Sequence, residues 1–234
     1  MIKTHTLIAG YGEVGKALQN VLGAVHYVLH YDKADAHSAG PSKTEFLHIA
    51  FPYSNKFNDS VKELQFQTEA RHTIIHSTVP VGTCTKLGAT HSPVVGIHPH
   101  LHESLKTFTK FLGGPKASEV ADHFRRAGMK VYICDRSETT ELMKLLCTTF
   151  YGLCIEFTKE TSRLCRENSV PFEAWTLWTE NYNSGYEKLG HPEFSRPNLV
   201  PIQGKLGGHC VLPNCDLLGG PFSELVKTLN DTNR

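Results

Sequence analysis

The sequence predicts an α/β fold, in which a Rossmann-type doubly wound parallel sheet is followed by a long helix and a small, mostly helical C-terminal part. Three observations predict it. A glycine-rich turn follows the first apolar run, apolar runs then alternate with helix-compatible segments as far as residue 135, and one long apolar stripe at helical spacing follows. We therefore divide the 234-residue chain into a first domain, 1–135, and a helical domain, 136–234.

The glycine-rich turn is the most informative stretch. The apolar run 4–9 leads into Gly10-Tyr11-Gly12-Glu13-Val14-Gly15, a G-x-G-x-x-G pattern, and a helix-compatible segment follows it. Gly10 permits the tight turn, Gly12 lets the backbone approach a pyrophosphate, and Gly15 lets the helix pack close to the strand. The free N–H groups at the helix start favour phosphate. We expect all six residues to bind a dinucleotide.

The second apolar run, residues 25–31, ends at Asp32, near the spacing of about 20 residues from the glycines that dinucleotide-binding folds show. An acidic side chain there accepts hydrogen bonds from the adenosine ribose hydroxyls and repels a 2′-phosphate. The sequence therefore predicts NAD rather than NADP as the cofactor, and residues 1–135 as an NAD-binding Rossmann domain.

The rest of this domain alternates between strands and helices. Strands are predicted over residues 45–52, 72–78, 94–98 and 130–134, and helices over residues 58–70 and 118–127. This alternation favours a parallel sheet, in which the nucleotide lies beyond the carboxyl ends of the strands.

A long helix is predicted from about Ser137 to about Asn168, because this segment lacks proline and carries an apolar stripe at helical spacing. The stripe consists of Leu142, Leu145, Leu146, Thr149, Phe150, Leu153, Phe157 and Leu164. One small sheet cannot cover both sides of such a helix, so a second subunit is its natural cover. We expect a homodimer built on this helix, with further helices over residues 172–188 and 222–229.

Composition excludes several classes of partner. The formal net charge is +1 and no basic run occurs, so neither nucleic acid nor a membrane surface is an expected partner. The N-terminus lacks a signal-peptide pattern, and no apolar run is long enough to span a bilayer. The seven cysteines are scattered without a C-x-x-C pair, which favours thiols in a reducing compartment. We therefore expect a cytoplasmic protein.

Histidine is abundant, with fourteen residues, and three of them alternate in His98-Pro99-His100-Leu101-His102. Alternating residues share a face only in a strand, and Pro99 disfavours a regular central strand. No Asp, Glu or Cys nearby obviously completes a coordination shell. We therefore expect no bound metal.

A second glycine-rich stretch, Gly204-Lys205-Leu206-Gly207-Gly208-His209-Cys210, lies near the C-terminus. Glycines beside a cysteine make a loop in which a thiol can be approached closely, as a nucleophile must be. Taken alone, such a pattern more often marks a buried, inert cysteine.

In combination, the motifs resemble those of the UDP-glucose/GDP-mannose dehydrogenase family, in a short form without the family's C-terminal nucleotide-sugar domain. The matching pieces are the turn at 10–15, Ser77-Thr78-Val79-Pro80-Val81-Gly82-Thr83, Gly113-Gly114, Glu141-Leu142-Met143-Lys144 and Gly207–Cys210. They occur in family order and cover most of the chain. The resemblance implies a Rossmann domain, a dimer-forming helix, and NAD-dependent oxidation of a nucleotide-sugar alcohol through a cysteine-bound intermediate.

The resemblance assigns Cys210 as nucleophile and Lys144 as catalytic lysine, and it places Ser77 and Thr78 beside the cofactor. Such chemistry needs a base for the hydroxyl proton and a nicotinamide for the hydride. A thiolate then attacks the aldehyde, and a second hydride loss converts the thiohemiacetal into a thioester. A lysine ammonium stabilises the oxyanion and favours the thiolate. Without the cysteine loop, Glu141 and Lys144 would be interpreted as an exposed ion pair.

Three polar partners differ from the family pattern. His100 corresponds to the family's glutamate in P-E-F, Thr148 to its asparagine one turn after the lysine, and Asn214 to its aspartate four residues after the cysteine. We retain all three as candidate catalytic positions and expect an altered acid-forming step. The substrate is then a nucleotide sugar held partly by the other subunit, or a smaller molecule.

Two alternatives remain open. The segment Ile97-His98-Pro99 also resembles the His-Pro of prephenate-dehydrogenase-type enzymes, in which His98 would polarise a hydroxyl for a single hydride transfer. That interpretation leaves the cysteine loop and the Glu141/Lys144 helix unexplained. The third hypothesis is a non-catalytic NAD-binding or regulatory protein, which would account for the changed partners.

Overall fold

The computed structural model describes residues 5–36, 38–207 and 210–232. The chain forms two compact units, residues 1–144 and 145–234. The boundary between the two units falls inside one long helix, Ser137–Glu167, so each unit contains part of that helix.

The first unit is built on a seven-stranded sheet. Its strands are β1 His5–Ala9, β2 Tyr27–Tyr31, β3 Phe46–Ile49, β4 His72–Ile75, β5 Thr90–His91, β6 Lys110–Gly113 and β7 Val131–Cys134. Their spatial order is β2-β1-β3-β4-β5-β6-β7. The first five are parallel to one another, whereas β6 pairs antiparallel with β5 and parallel with β7. The Rossmann-type α/β fold class is confirmed, with the last two strands reversed.

One predicted strand is wrong and another was missed. Residues 94–98 are not a strand; Thr90–His91 makes that pairing instead, and the segment that follows contains Pro93, which has no N–H to donate. Lys110–Gly113 forms β6, although a lysine in a four-residue run gives no alternating pattern. Lys110 is nevertheless only 3% exposed.

Helices cover both faces of the sheet. They are α1 Glu13–Leu22, α2 Phe57–Thr68, α3 Thr83–Leu87, α4 Leu101–Thr107 and α5 Ala117–Arg126, and α6 Ser137–Glu167 follows β7. Ile8 packs with α1, α4 and α5 in one core, whereas its neighbour Leu7 packs with α2 and α3 in the other. Adjacent strand residues point to opposite faces, so both must be apolar in a doubly covered sheet.

The second unit is helical. Beyond its share of α6 it contains α7 Phe172–Lys188, a short 3₁₀ turn at Pro192–Phe194, α8 Val211–Leu218 and α9 Gly220–Thr232. The predicted helices at 172–188 and 222–229 are therefore present, and α8 was not predicted. In the core of the second unit, Leu153 and Ile155 of α6 pack against four buried residues, Leu206, Val211, Cys215 and Val226. None of the helices in the described parts of either unit is both long and apolar enough to cross a membrane.

The core of the first unit contains unusual polar groups. His48, His76 and His123 are at most 3% exposed, and Lys110 lies beside them. Burial lowers the pKa of all three imidazoles, and neighbouring cationic groups lower it further. Burial, aided by the charge of Lys144, lowers the pKa of Lys110 to about 7. These groups are therefore largely neutral in the folded protein under mildly alkaline conditions.

The stability of the first unit should fall with acidification. Below the ordinary histidine pKa of about 6.5, the unfolded chain takes up protons that the buried imidazoles refuse, so each group removes about 1.4 kcal/mol of stability per pH unit. Between about pH 7 and the ordinary pKa of lysine, Lys110 also makes the free energy of unfolding fall with acidification. In this range Lys110 is fully protonated only in the unfolded chain.

Denaturant unfolding at a series of pH values measures this slope. His123→Phe should flatten it below about pH 6.5, whereas the exposed-site control His191→Gln should leave it unchanged. A free energy of unfolding that does not fall between about pH 7.5 and about pH 5.5 would contradict the expectation.

Candidate active site

The predicted dinucleotide turn lies between β1 and α1 and has the geometry that its glycines require. Gly10 has φ +95°, and a Cβ there would lie 2.7 Å from the backbone N of Phe51. A Cβ on Gly15 would lie 2.1 Å from the carbonyl O of Gly10. Both positions therefore exclude any side chain, because the turn is closed tightly against β3 and against its own helix.

The open side of this turn is at Gly12, where an added Cβ would meet nothing within 4 Å. Gly12 is also the N-cap of α1, and no side chain caps the helix there. The first N–H groups of α1 are therefore available to an anion. Glu13 is exposed, and the side chain of Val14 packs into the core, so Val14 offers only its backbone to a ligand.

Asp32 lies immediately beyond β2 and beside the turn. Its Oδ2 accepts a hydrogen bond from the backbone N of Tyr11 at 2.6 Å, and its Oδ1 accepts one from the backbone N of Ala34 at 2.9 Å. These bonds, that of Tyr11 foremost, lower the pKa of the Asp32 carboxyl. Because a carboxylate has about four acceptor positions, Asp32 can still accept hydrogen bonds from a ribose.

The Ser77-Thr78 pair follows β4, at the same edge of the sheet as the glycine turn. Ser77 Oγ donates to the carbonyl O of Phe51 at 2.6 Å, and this ties the two post-strand segments together. Thr78 is half-buried. Both residues therefore lie at the carboxyl ends of the parallel strands, where Rossmann-type sheets bind their ligands.

The carboxylate of Glu141, near the start of α6, is completely buried. Its Oε2 accepts a hydrogen bond from the backbone N of Gly82 at 2.6 Å, and its Oε1 accepts one from the backbone N of Cys84 at 2.8 Å. The exposed ion pair considered from the sequence is therefore wrong for Glu141. This residue instead fixes the loop that follows Thr78.

Lys144 lies one turn further along α6 and is half-buried. Its Nζ donates a hydrogen bond to the carbonyl O of Val94 at 3.0 Å. The first two turns of α6 therefore hold the segments that follow β4 and β5, with an ammonium group at the second of them. Sequence motifs indicated Glu141 and Lys144, but not the backbone groups to which they bind.

The two histidines of the 98–102 segment have different surroundings. The Nδ1 atom of His98 contacts the side-chain carboxyl group of Glu13 in the glycine turn. His100 is exposed and precedes α4, and its carbonyl O accepts hydrogen bonds from the backbone N and the Oγ of Ser104. Across the residues that the structure describes, no three His, Cys, Asp or Glu side chains are grouped as metal ligands.

The remaining candidates belong to the second unit. Cys210 is exposed and directly precedes α8, and its carbonyl O accepts a hydrogen bond from the backbone N of Asn214 at 3.2 Å. Asn214 is buried, and Thr148 is half-buried on α6. Val211 packs closely against Gly152: a Cβ added to Gly152 would lie 2.6 Å from Cγ1 of Val211. Gly208 and His209 of the cysteine loop lie outside the described residues.

Sequence reasoning missed one charged residue near this site. Lys110 Nζ donates hydrogen bonds to the carbonyl O atoms of Ser92 and Pro93, at 2.8 and 3.0 Å. Lys144 binds the next carbonyl, that of Val94. No motif signals Lys110, because its role depends on a sheet register that the sequence does not display.

Solved structures share this fold. The chain aligns with a UDP-D-ManNAc dehydrogenase from Pyrococcus horikoshii at TM-score 0.76 and 17% identity, covering 97% of this chain and 68% of that one. A UDP-glucose dehydrogenase from Pyrobaculum islandicum aligns at TM-score 0.77 and 15% identity, covering 99% and 68%. A 3-hydroxyisobutyrate dehydrogenase from Mycobacterium tuberculosis aligns at TM-score 0.69 and 13% identity, covering 99% and 94%.

At these identities the likeness concerns the fold, and it confirms the structural resemblance to UDP-sugar dehydrogenases that the motifs indicated. No protein-family model matches the sequence. No curated protein matches it by sequence either.

Proposed function

We propose that this protein is an NAD-dependent oxidoreductase acting on a CH–OH donor, which is a nucleotide sugar or a smaller molecule. The observation that carries the proposal is the turn at residues 10–15. It is closed to side chains at Gly10 and Gly15, open at Gly12, and flanked by the Asp32 carboxylate. We also propose residues 1–135 as the NAD-binding domain and residues 136–234 as the dimerisation and substrate domain.

The residues of this turn fit a dinucleotide. The uncapped N–H groups of α1 would bind the pyrophosphate, and the free acceptor positions of Asp32 would bind the ribose hydroxyls. When bound, NAD accepts the hydride that leaves the alcohol carbon with its bonding electron pair. Ser77 and Thr78 would line the same edge of the sheet.

Lys144 and Cys210 supply the chemistry in this proposal. The ammonium of Lys144 stabilises negative charge on the substrate oxygen as the hydroxyl proton passes to a water molecule. The Cys210 thiolate then forms an S–C bond to the aldehyde carbon, whose C=O electron pair moves to oxygen, and that oxygen takes a proton from water to give a thiohemiacetal. Transfer of a second hydride to a second NAD, with release of the hydroxyl proton to water, would turn the thiohemiacetal into a thioester, which water would cleave to the acid and the free thiol.

The hydrolytic step requires a base. The positions of the family's two carboxylates are occupied here by His100 and Asn214. Asn214 is an amide and cannot act as a base at neutral pH, whereas His100 carries an imidazole, the side chain most often used for proton transfer. We therefore assign His100 as the base, with Asn214 and Thr148 as hydrogen-bonding groups. This assignment makes acid formation the slow step.

A second candidate function is a single oxidation of an alcohol, without a role for Cys210. The observation that favours it is the Mycobacterium tuberculosis 3-hydroxyisobutyrate dehydrogenase, of whose chain 94% is covered. His98, the residue first considered for a single hydride transfer, is paired with Glu13, which makes Lys144 the better candidate for the acid–base role.

The cofactor preference is testable by isothermal titration. NAD should bind more tightly than NADP, because Asp32 repels a 2′-phosphate. Asp32→Asn keeps an acceptor for the Tyr11 N–H but removes the charge, so it should weaken NAD binding by at least about tenfold and relax the preference. Glu69→Gln, at an exposed site away from the turn, is the matched control. NADP binding equal to that of NAD in the unchanged protein would contradict the proposal.

The stoichiometry of NADH formation tests the chemistry. An alcohol panel should yield two NADH per substrate consumed, and Cys210→Ser should yield one. His100→Ala should slow acid formation by roughly 10²- to 10⁴-fold, whereas Cys147→Ser, at another exposed cysteine, should leave both steps intact.

Other outcomes are equally informative. One NADH per substrate, with Cys210→Ser unimpaired, would favour the single oxidation. If no alcohol or aldehyde is turned over while NAD still binds, the protein is a non-catalytic NAD-binding protein.

We also propose a homodimer formed through α6 and α7 of the second unit. Leu145 of the predicted stripe is buried, whereas Phe150 and Phe157 are each 60% exposed, and Trp178 of α7 is 66% exposed. So many exposed large apolar groups are typical of a protein–protein interface.

All seven cysteines are free thiols, which supports a cytoplasmic location.

Light scattering at micromolar concentration should give the mass of a dimer. Phe157→Glu should shift the protein towards monomer, because a charge would be buried in the interface. Phe66→Glu, at a still more exposed aromatic site on α2 of the first unit, should leave the dimer intact. A monomeric mass for the unchanged protein would refute this assembly.

A further inference from the structure

The first unit contains a continuous chain of buried nitrogen atoms that the proposed chemistry does not use. Lys110 Nζ lies 3.3 Å from His76 Nδ1, His76 Nε2 lies 2.8 Å from His48 Nδ1, and His48 Nε2 lies 3.0 Å from His123 Nε2. His123 Nδ1 ends the chain, buried and without a hydrogen-bond partner among the described residues. The four side chains come from β6, the end of β4, β3 and α5.

With Lys110 neutral, one set of tautomers satisfies the chain. The two amine N–H groups of Lys110 donate to the carbonyl O atoms of Ser92 and Pro93. His76 Nδ1–H donates to the same Ser92 oxygen at 2.8 Å and faces the lysine lone pair. His48 Nδ1–H then donates to His76 Nε2, and His123 Nε2–H donates to His48 Nε2. His123 Nδ1 is left as a bare lone pair.

With Lys110 charged, the opposite set of tautomers satisfies it. An ammonium has three N–H donors, and three acceptors surround this one: Ser92 O, Pro93 O and His76 Nδ1. His76 Nε2–H then donates to His48 Nδ1, and His48 Nε2–H donates to His123 Nε2. All three imidazoles are neutral in both arrangements, which differ by one proton.

We propose that His123, His48 and His76 form a proton relay that loads and unloads Lys110. A proton that reaches the buried His123 Nδ1 binds there, and the Nε2 proton of His123 passes to His48 Nε2. The Nδ1 proton of His48 passes to His76 Nε2, and the Nδ1 proton of His76 passes to Lys110 Nζ. One N–H bond forms and one breaks at each imidazole, so a single proton enters and Lys110 becomes charged.

Lys110 is a positioning residue at the inner end of the relay. Its Nζ binds the carbonyls of Ser92 and Pro93, and Lys144 binds the next carbonyl, that of Val94. The charge of Lys110 therefore determines how strongly the segment that anchors Lys144 is held. This consequence rests on the proposed function, whereas the relay itself does not.

The surroundings keep protons from resting on the imidazoles. The cationic or titratable groups that face the chain are His26, His72, His91, Arg126 and Lys144. Each of these lowers the pKa of a chain member in addition to the dominant effect of burial. The imidazoles therefore transmit protons, and Lys110 is the group that stores one.

Nitrogen-15 NMR of histidine- and lysine-labelled protein tests the relay without turnover. As the pH passes the titration of Lys110 near 7, the hydrogen on His48 should move from Nδ1 to Nε2 with acidification, and that on His76 likewise, in one step. Fixed tautomers throughout the Lys110 titration would overturn the proposal. So would an imidazolium signal from His48 or His76 before Lys110 becomes charged.

A variant removes the storage site. Lys110→Met should lock His48 and His76 in the first arrangement at every pH, whereas Lys106→Met, at an exposed lysine of α4, should leave the inversion unchanged. If Lys110→Met does not fold, the titration of the unchanged protein decides alone. If the ring hydrogens of His48 and His76 move from Nδ1 to Nε2 but the protein oxidises no alcohol, the relay is supported and only the proposed activity is refuted.

Discussion

The buried carboxylate of Glu141 is the contact on which the arrangement of the candidate site depends. It accepts hydrogen bonds from the backbone N of Gly82 and of Cys84, and so fixes the start of α6 against the loop after β4. Hydrogen bonds to a charged group contribute about 1.5–3 kcal/mol each, and burial makes their loss costlier. Lys144 lies one turn further along α6, so the same contact also positions Lys144 to bind the carbonyl O of Val94, which follows β5.

The buried positions of the sheet hold both apolar side chains and polar, titratable ones. Leu7 and Ile8 show the ordinary solution, in which adjacent residues are apolar because helices cover both faces. His48 and Lys110 break that pattern at buried positions, where desolvation opposes charge. Hydrogen bonds to other buried groups reduce the cost of placing His48 and Lys110 there.

The two units contribute differently to the proposed chemistry. The first contains the glycine-rich turn, Asp32 and Lys144, which lie near the carboxyl ends of the parallel strands. The second presents Cys210 immediately before α8, where packing of Val211 against Gly152 holds the helix start. In the proposed reaction the residues that would bind the cofactor, supply the ammonium and supply the thiol are therefore far apart in sequence.

The sequence alone determined the features whose causes are local. Gly10 and Gly15 revealed the turn because no other residue fits there, and Asp32 was found by its spacing from them. The tertiary structure alone decided that Lys110–Gly113 pairs as a reversed strand and that residues 94–98 do not pair at all. It also decided which polar groups meet in the core. Strand register and buried contacts join residues distant in sequence, and such long-range pairing leaves no periodic or spacing signal in the chain.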